Sequence, residues 1–191
     1  MSYCPCPGFS STVDCRRNTS DSSFGDSPKD PGSLAAAPPS AFESAGGSGG
    51  AGVGYDCTSS LGGALAHKDE GRIAVALCGD GDMMMSPGVM WTAAHERLPL
   101  LYVVHNNHAW NQELIWVQGI AGRRSRGADR CHIGNTMQDP YIDFGAMAKS
   151  MGLHGETVKD PKDLGAAYRR ALDVVKKGEP ALVDVWAQPR G

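Results

Sequence analysis

Two short polar motifs stand where apolar runs stop, and their residue types suit the binding of a charged small molecule. The first, Gly79-Asp80-Gly81, follows the run Arg72-Ile73-Ala74-Val75-Ala76-Leu77-Cys78; the second, Asn106-Asn107, follows Leu98 to His105. Gly79 and Gly81 allow a tight turn and close approach of backbone to a ligand. Asp80 is the charge in that turn. A lone carboxylate facing a diphosphate would repel it, so a diphosphate here requires a divalent cation between the two. Magnesium meets that requirement, because it takes about six oxygen ligands and is held by few protein oxygens together with phosphates and water. Asn107 offers an uncharged side-chain oxygen, and the amide groups after Gly81 are free to donate to the anion.

The elements that must position these residues follow from the apolar pattern. The continuous runs at 72–78 and 98–105 predict strands buried on both faces of a parallel sheet. A glycine-rich loop from Gly46 leads into a helix over Cys57 to His67. Pro87 opens a helix running to about Arg97. After a long polar stretch, Gly119 to Pro140, a helix is expected over Asp143 to Met151 and a short strand over Leu153 to Val158. Asp160 caps a further helix with Pro161 at its first position. That helix carries Leu164, Ala167, Leu172 and Val175 on or near one face and stops at Gly178. Ala181 to Trp186 is a last short strand. Strands alternating with helices predict an α/β fold, a doubly wound, mostly parallel sheet with helices on both faces. Such sheets bind ligands beyond the carboxyl ends of their strands, so the two motifs are expected to face one ligand.

Composition sets the frame. With 191 residues, 41% of them hydrophobic, one domain with a sizeable core is expected rather than two. Residues 1–44 are dominated by Ser, Pro, Gly and Asp and are expected to be a disordered low-complexity segment, with the domain over 45–191. A net charge of −3 gives no electrostatic reason to bind nucleic acid or an anionic membrane. No apolar run approaches the roughly 20 residues of a spanning helix, and no basic-then-hydrophobic leader opens the chain, so a cytoplasmic location is expected. Cys4, Cys6 and Cys15 lack a second pair at zinc spacing, and Cys57, Cys78 and Cys131 read as reduced.

Gly79-Asp80-Gly81, then residues 82–105, 24 in all, then Asn106-Asn107 resembles the signature of thiamine-diphosphate-dependent enzymes. Gly52-Val53-Gly54-Tyr55, Leu61-Gly62-Gly63-Ala64-Leu65-Ala66-His67, Pro87-Gly88-Val89 and Trp91-Thr92-Ala93-Ala94 support it. So does the closing stretch Gly178 to Val185, which is similar to that of acetolactate synthases and related 2-oxo-acid decarboxylases. The resemblance covers about residues 46–190. It implies magnesium ligation by Asp80, by the side chain of Asn107 and by the backbone carbonyl of Ala109. It also implies cofactor contacts from Gly54, Tyr55, Gly79, Gly81, Asp82, Ala109 and Trp110, with backbone groups of Gly81, Asp82, Ala109 and Trp110 toward the diphosphate.

The chain departs from the family pattern at two places. Asp82 stands where many members have Ser or Ala, which puts a side-chain contact to phosphate in doubt. Asp56-Cys57-Thr58-Ser59-Ser60 replaces a more usual Gly-Leu-Pro-Ala-Ala. Glu113 lies where some of these decarboxylases carry an active-site acid, although a solvated carboxylate at a helix start has the same appearance. Met83, Met84 and Met85 read as core packing, and His105 and His108, which flank the Asn pair, as structural histidines, with substrate contact the alternative for either. Arg123, Arg124, Arg126 and Arg130 form a basic loop, either a solvated surface or a lid over the site.

The resemblance implies a C-terminal domain of an enzyme acting on small 2-oxo acids, a lyase or transferase whose activating glutamate belongs to a separate amino-terminal domain. That domain would come from a homo-oligomer or a partner chain, so this chain reads as a fragment, incomplete for catalysis alone. The alternative is a non-catalytic cofactor-binding or interaction remnant.

Overall fold

The computed structural model describes residues 52–187, all within one compact unit over 43–191. The segment expected to be disordered, 1–44, lies outside the described residues. The four predicted strands are present as β1 (Ala74–Gly79), β2 (Leu100–Asn106), β3 (His154–Val158) and β4 (Ala181–Trp186). They form one sheet in the order β1-β2-β4-β3 with every pairing parallel. Parallel register aligns the strand ends. Gly79 pairs with His105, and Asn106 with Trp186, so both polar motifs emerge at the same edge.

Among the described residues six α-helices connect and cover the strands: α1 (Tyr55–Ala66), α2 (Asp80–Met85), α3 (Gly88–His95), α4 (Asn111–Arg123), α5 (Phe144–Ser150) and α6 (Pro161–Val175). Alternation along the strands divides the core into two. Ala76, Cys78, Tyr102, Val104 and Leu182 pack with Cys57, Met90, Phe144 and Ala148 of α1, α3 and α5. Leu101, Ala181 and Val183 pack with Ala167, Ala171 and Val175 of α6. Helices therefore lie on both faces, as the alternation of the sequence predicts, but β1 is not buried on both faces as expected: α6 packs on β2, β3 and β4, and among the described residues the Val75 and Leu77 side chains of β1 stay exposed. Asp143 and Asp160 cap α5 and α6, accepting from Ala146 N at 2.7 Å and Lys162 N at 2.9 Å. None of the described helices is long and apolar enough to cross a membrane.

Two helices depart from the sequence reading. The turn at Asp80 runs straight into the short α2, and Pro87 begins a separate α3. Helix α4 occupies residues that carried no helical pattern and continues through the start of the expected loop. None of its side chains is buried. Its apolar residues Ile115, Trp116 and Val117 are consecutive and point in different directions, so no stripe marks it.

Candidate functional site

Asp80 is the first residue of α2, directly beyond β1, and only 3% exposed. Its Oδ1 accepts from Gly81 N at 2.9 Å and its Oδ2 from Ala109 N at 3.2 Å. The same Ala109 N–H lies 3.1 Å from Asn107 Oδ1. One backbone donor thus sits within hydrogen-bond reach of an oxygen from each motif, and the two oxygens converge on it. Among the described residues no Lys or Arg forms an ion pair with Asp80. Burial raises the Asp80 carboxyl above its ordinary range, opposed by the N–H groups of Gly81, Ala109 and His108.

A buried carboxylate with no Lys or Arg paired to it is costly when ionised, and a bound cation offsets that cost. The donors gathered here are a carboxylate, an amide oxygen and backbone. Such an all-oxygen set suits a hard divalent ion such as magnesium rather than zinc.

The neighbouring asparagine faces inward. Asn106 is buried, and its Nδ2 donates to Asp184 Oδ1 at 3.0 Å and to the Ile142 carbonyl at 3.4 Å. Its Oδ1 accepts from His108 N at 3.2 Å. Asp184, fully buried on β4, also accepts from Phe144 N at 3.3 Å and Thr157 Oγ1 at 3.2 Å. Burial raises its carboxyl, and these donors oppose the rise. Sequence reasoning passed over Asp184. The available signal was an acid in the middle of the apolar strand Ala181 to Trp186.

Asp82 joins the motif to the start of α1. Its Oδ1 accepts from Gly54 N at 2.7 Å and its Oδ2 from Gly79 N at 3.3 Å, so the carboxylate is directed at backbone amides. Gly54 adopts φ 88°, and a Cβ there would stand 2.8 Å from the Met85 Cβ, so both backbone and space call for glycine. At Gly81 a Cβ would come within 2.6 Å of the Trp110 ring, and the indole rests on that residue's bare backbone.

Gly54, Gly79, Asp80, Gly81, Asp82, Asn107, Ala109 and Trp110 thus form one group, with Tyr55, half-exposed, opening α1 beside it. Glu113 is exposed in the first turn of α4, and Arg123, Arg124, Arg126 and Arg130 are exposed on and beyond its end. His105 is exposed, whereas His108 is buried between rings. Of the three methionines Met83 alone is fully buried.

The sequence model of the family described as "Thiamine pyrophosphate enzyme, C-terminal TPP binding domain" matches residues 31–185. The chain is similar to the sulfoacetaldehyde acetyltransferase of Alcaligenes xylosoxydans xylosoxydans, at 29% identity over 133 residues, 69% of this chain and 20% of that protein. It is also similar to the acetolactate synthase large subunit of Porphyra purpurea, at 25% identity over 132 residues, 69% of this chain and 20% of that one. Among solved structures, the thiamine diphosphate-dependent 4-hydroxybenzoylformate decarboxylase of Rhodococcus jostii RHA1 shares the fold with a TM-score of 0.59 at 23% identity, over 74% of this chain and 24% of that one. The chain spans about a fifth of the length of these two curated relatives.

Proposed function

Because the chain belongs to the thiamine pyrophosphate enzyme family, as its C-terminal TPP-binding domain, we propose that Asp80, Asn107 and the Ala109 carbonyl hold a magnesium ion bridging to the cofactor's diphosphate. Backbone groups of Gly81, Asp82, Ala109 and Trp110 take the diphosphate itself, and Gly54, Tyr55 and Gly79 border it. The observation that carries this reading is the Ala109 N–H shared by Asp80 Oδ2 at 3.2 Å and Asn107 Oδ1 at 3.1 Å, which brings the proposed oxygen ligands together.

When bound, thiamine diphosphate supplies an electron sink for bond breaking beside a carbonyl. The residues of this chain anchor and orient it. Asp80 and Asn107 hold the ion that neutralises the diphosphate. Asp82, engaged with Gly54 and Gly79, keeps the loop before α1 against the motif. The reaction we assign is decarboxylation of a small 2-oxo acid, with or without transfer of the product to an acceptor. It requires the remaining length that the relatives have, on the same polypeptide or from a partner chain.

Calorimetric titration of the chain with thiamine diphosphate, with and without magnesium chloride, tests the cofactor site. Binding is expected only with magnesium. Asp80→Ala is expected to weaken it roughly ten- to hundredfold, the scale of a lost charged interaction. A folded wild-type chain that takes up no cofactor with magnesium present would overturn the reading.

A further inference from the structure

We propose that Tyr141 and Trp186 clamp the ring of His108, and that this clamp fixes the turn presenting Asn107 and Ala109, making His108 a positioning residue for the proposed ion ligands. What the turn is for rests on the functional reading above; the clamp itself rests on geometry alone.

His108 lies between the two proposed ligands and has φ 61°, in the left-handed region that a side chain seldom occupies. Such a conformation persists only where its surroundings over-determine it. Here they do. The backbone is held on both sides: His108 N donates to Asn106 Oδ1 at 3.2 Å, Met137 N donates to the His108 carbonyl at 2.7 Å, and Trp110 N donates to the Asn135 carbonyl at 2.7 Å.

The side chain is held by rings. Only 7% exposed, the imidazole meets Trp186 edge to face at 4.4 Å and 79°, and Tyr141 at 4.8 Å and 61°. Tyr141 and Trp186 are themselves 5.6 Å apart, and the Lys159 ammonium stands 3.8 Å from the centre of the Trp186 ring. His108 Nδ1 and Trp186 Nε1 are buried with no hydrogen-bond partner among the described residues. Ring packing, not hydrogen bonding through these atoms, therefore locks the side chain.

The three rings come from the loop after β2, the loop before α5 and the last residue of β4. They meet only when all three segments are in place. If the ring lost its walls, His108 would relax toward negative φ, and the adjoining peptides would rotate. The Ala109 N–H would then leave Asp80 and Asn107, and the two oxygens would lose their common partner.

The test uses the full chain as Trp186→Ala, Trp186→Phe, Tyr141→Ala and, as a stability control, Val175→Ala on α6. Tyr141 is 55% exposed, so Y141A keeps the core intact even where W186A fails to fold. The first measurement is hydrogen exchange at the Ala109 amide without cofactor. The second is the magnesium concentration needed for thiamine diphosphate binding by calorimetry. Y141A and W186A are expected to speed exchange and to raise the magnesium requirement about tenfold, the lower end of what loss of a ligand-supporting contact costs. W186F, which keeps an aromatic wall, is expected to restore both. V175A is expected to lower the melting temperature and leave both unchanged. Unaltered Ala109 exchange in Y141A and W186A, or the same change in V175A, overturns the clamp. A wild-type chain that binds no cofactor overturns the functional reading instead, and the exchange measurement still decides the clamp.

Discussion

Asp80 and Asp184 are both buried acids on or just beyond strands of one sheet, and their partners give them different tasks. Among the described residues Asp80 accepts from backbone N–H groups alone and stands just beyond the end of β1, where the proposed cation would sit. Asp184 is enclosed by Asn106, Phe144 and Thr157 and ties β4 to the end of β2 and the start of α5. Asp184→Asn presents an amide group to donors that had a carboxylate, and a loss of about 1–3 kcal/mol is expected in denaturant unfolding. The sign of its pH dependence follows from burial. A carboxyl raised in the folded state opposes folding once it ionises, and that opposition is relieved as pH falls through its folded value. Wild type therefore recovers stability on acidification where the variant has no group to protonate, so the deficit of D184N should widen as pH falls through the raised folded value toward the ordinary carboxyl range. A deficit that narrows would contradict the assignment.

At the scale of elements, close packing and helix propensity make opposite demands on glycine. Helix α5 lies so near β3 that a Cβ at Gly155 would run into the Gly145 carbonyl and stand 3.0 Å from the Ala148 Cβ. Gly155→Ala is expected to cost about 1–3 kcal/mol, the usual penalty for overfilling a packed contact. Gly165, inside α6, has only the far end of the Arg169 side chain near it, at 4.0 Å. Gly165→Ala should accordingly stabilise the chain by about 0.5–1 kcal/mol. Thermal melts of the two variants compare them directly, and equal shifts would mean that α5 and β3 can move apart. Helix α4 is the other extreme, since no buried side chain ties it to the sheet.

For the molecule as a whole, the two faces of the sheet are unequally covered. Helices α1, α3 and α5 fill one face, whereas α6 lies over the opposite face at β2, β3 and β4 and, among the described residues, β1 is left bare there. Leu77 is 72% exposed and Val75 49%, next to half-buried Val103 and exposed His105. An apolar strip of this kind is unusual on a folded surface. The folded chain should bind an apolar fluorescent dye, and Leu77→Lys should reduce the signal while moving unfolding by no more than about 0.5 kcal/mol. Undiminished dye binding in L77K would place the apolar surface elsewhere, with Ile115 and Trp116 of α4 the next residues to change.

The sequence alone determined whatever depends on local pattern. The strands read as unbroken apolar runs, although β1 proved covered on one face only, α6 announced itself through its cap, its proline and its stripe, and Gly79-Asp80-Gly81 and Asn106-Asn107 marked strand ends because turns there need those residue types. Their meeting at one edge also followed, since parallel strands in a doubly wound sheet put all carboxyl ends on one side. Only the tertiary structure decided which distant groups complete the site. Asp82 turned toward Gly54 and Gly79, Asn106 toward Asp184, and His108 into the space between Tyr141 and Trp186. No periodicity carries such information, because these contacts are fixed by how the loops after β2 and before α5 and the end of β4 are brought side by side. Of helix α4 the sequence suggested no more than a start near Glu113, for the complementary reason: none of its side chains is fully buried among the described residues, so no stripe marks its length.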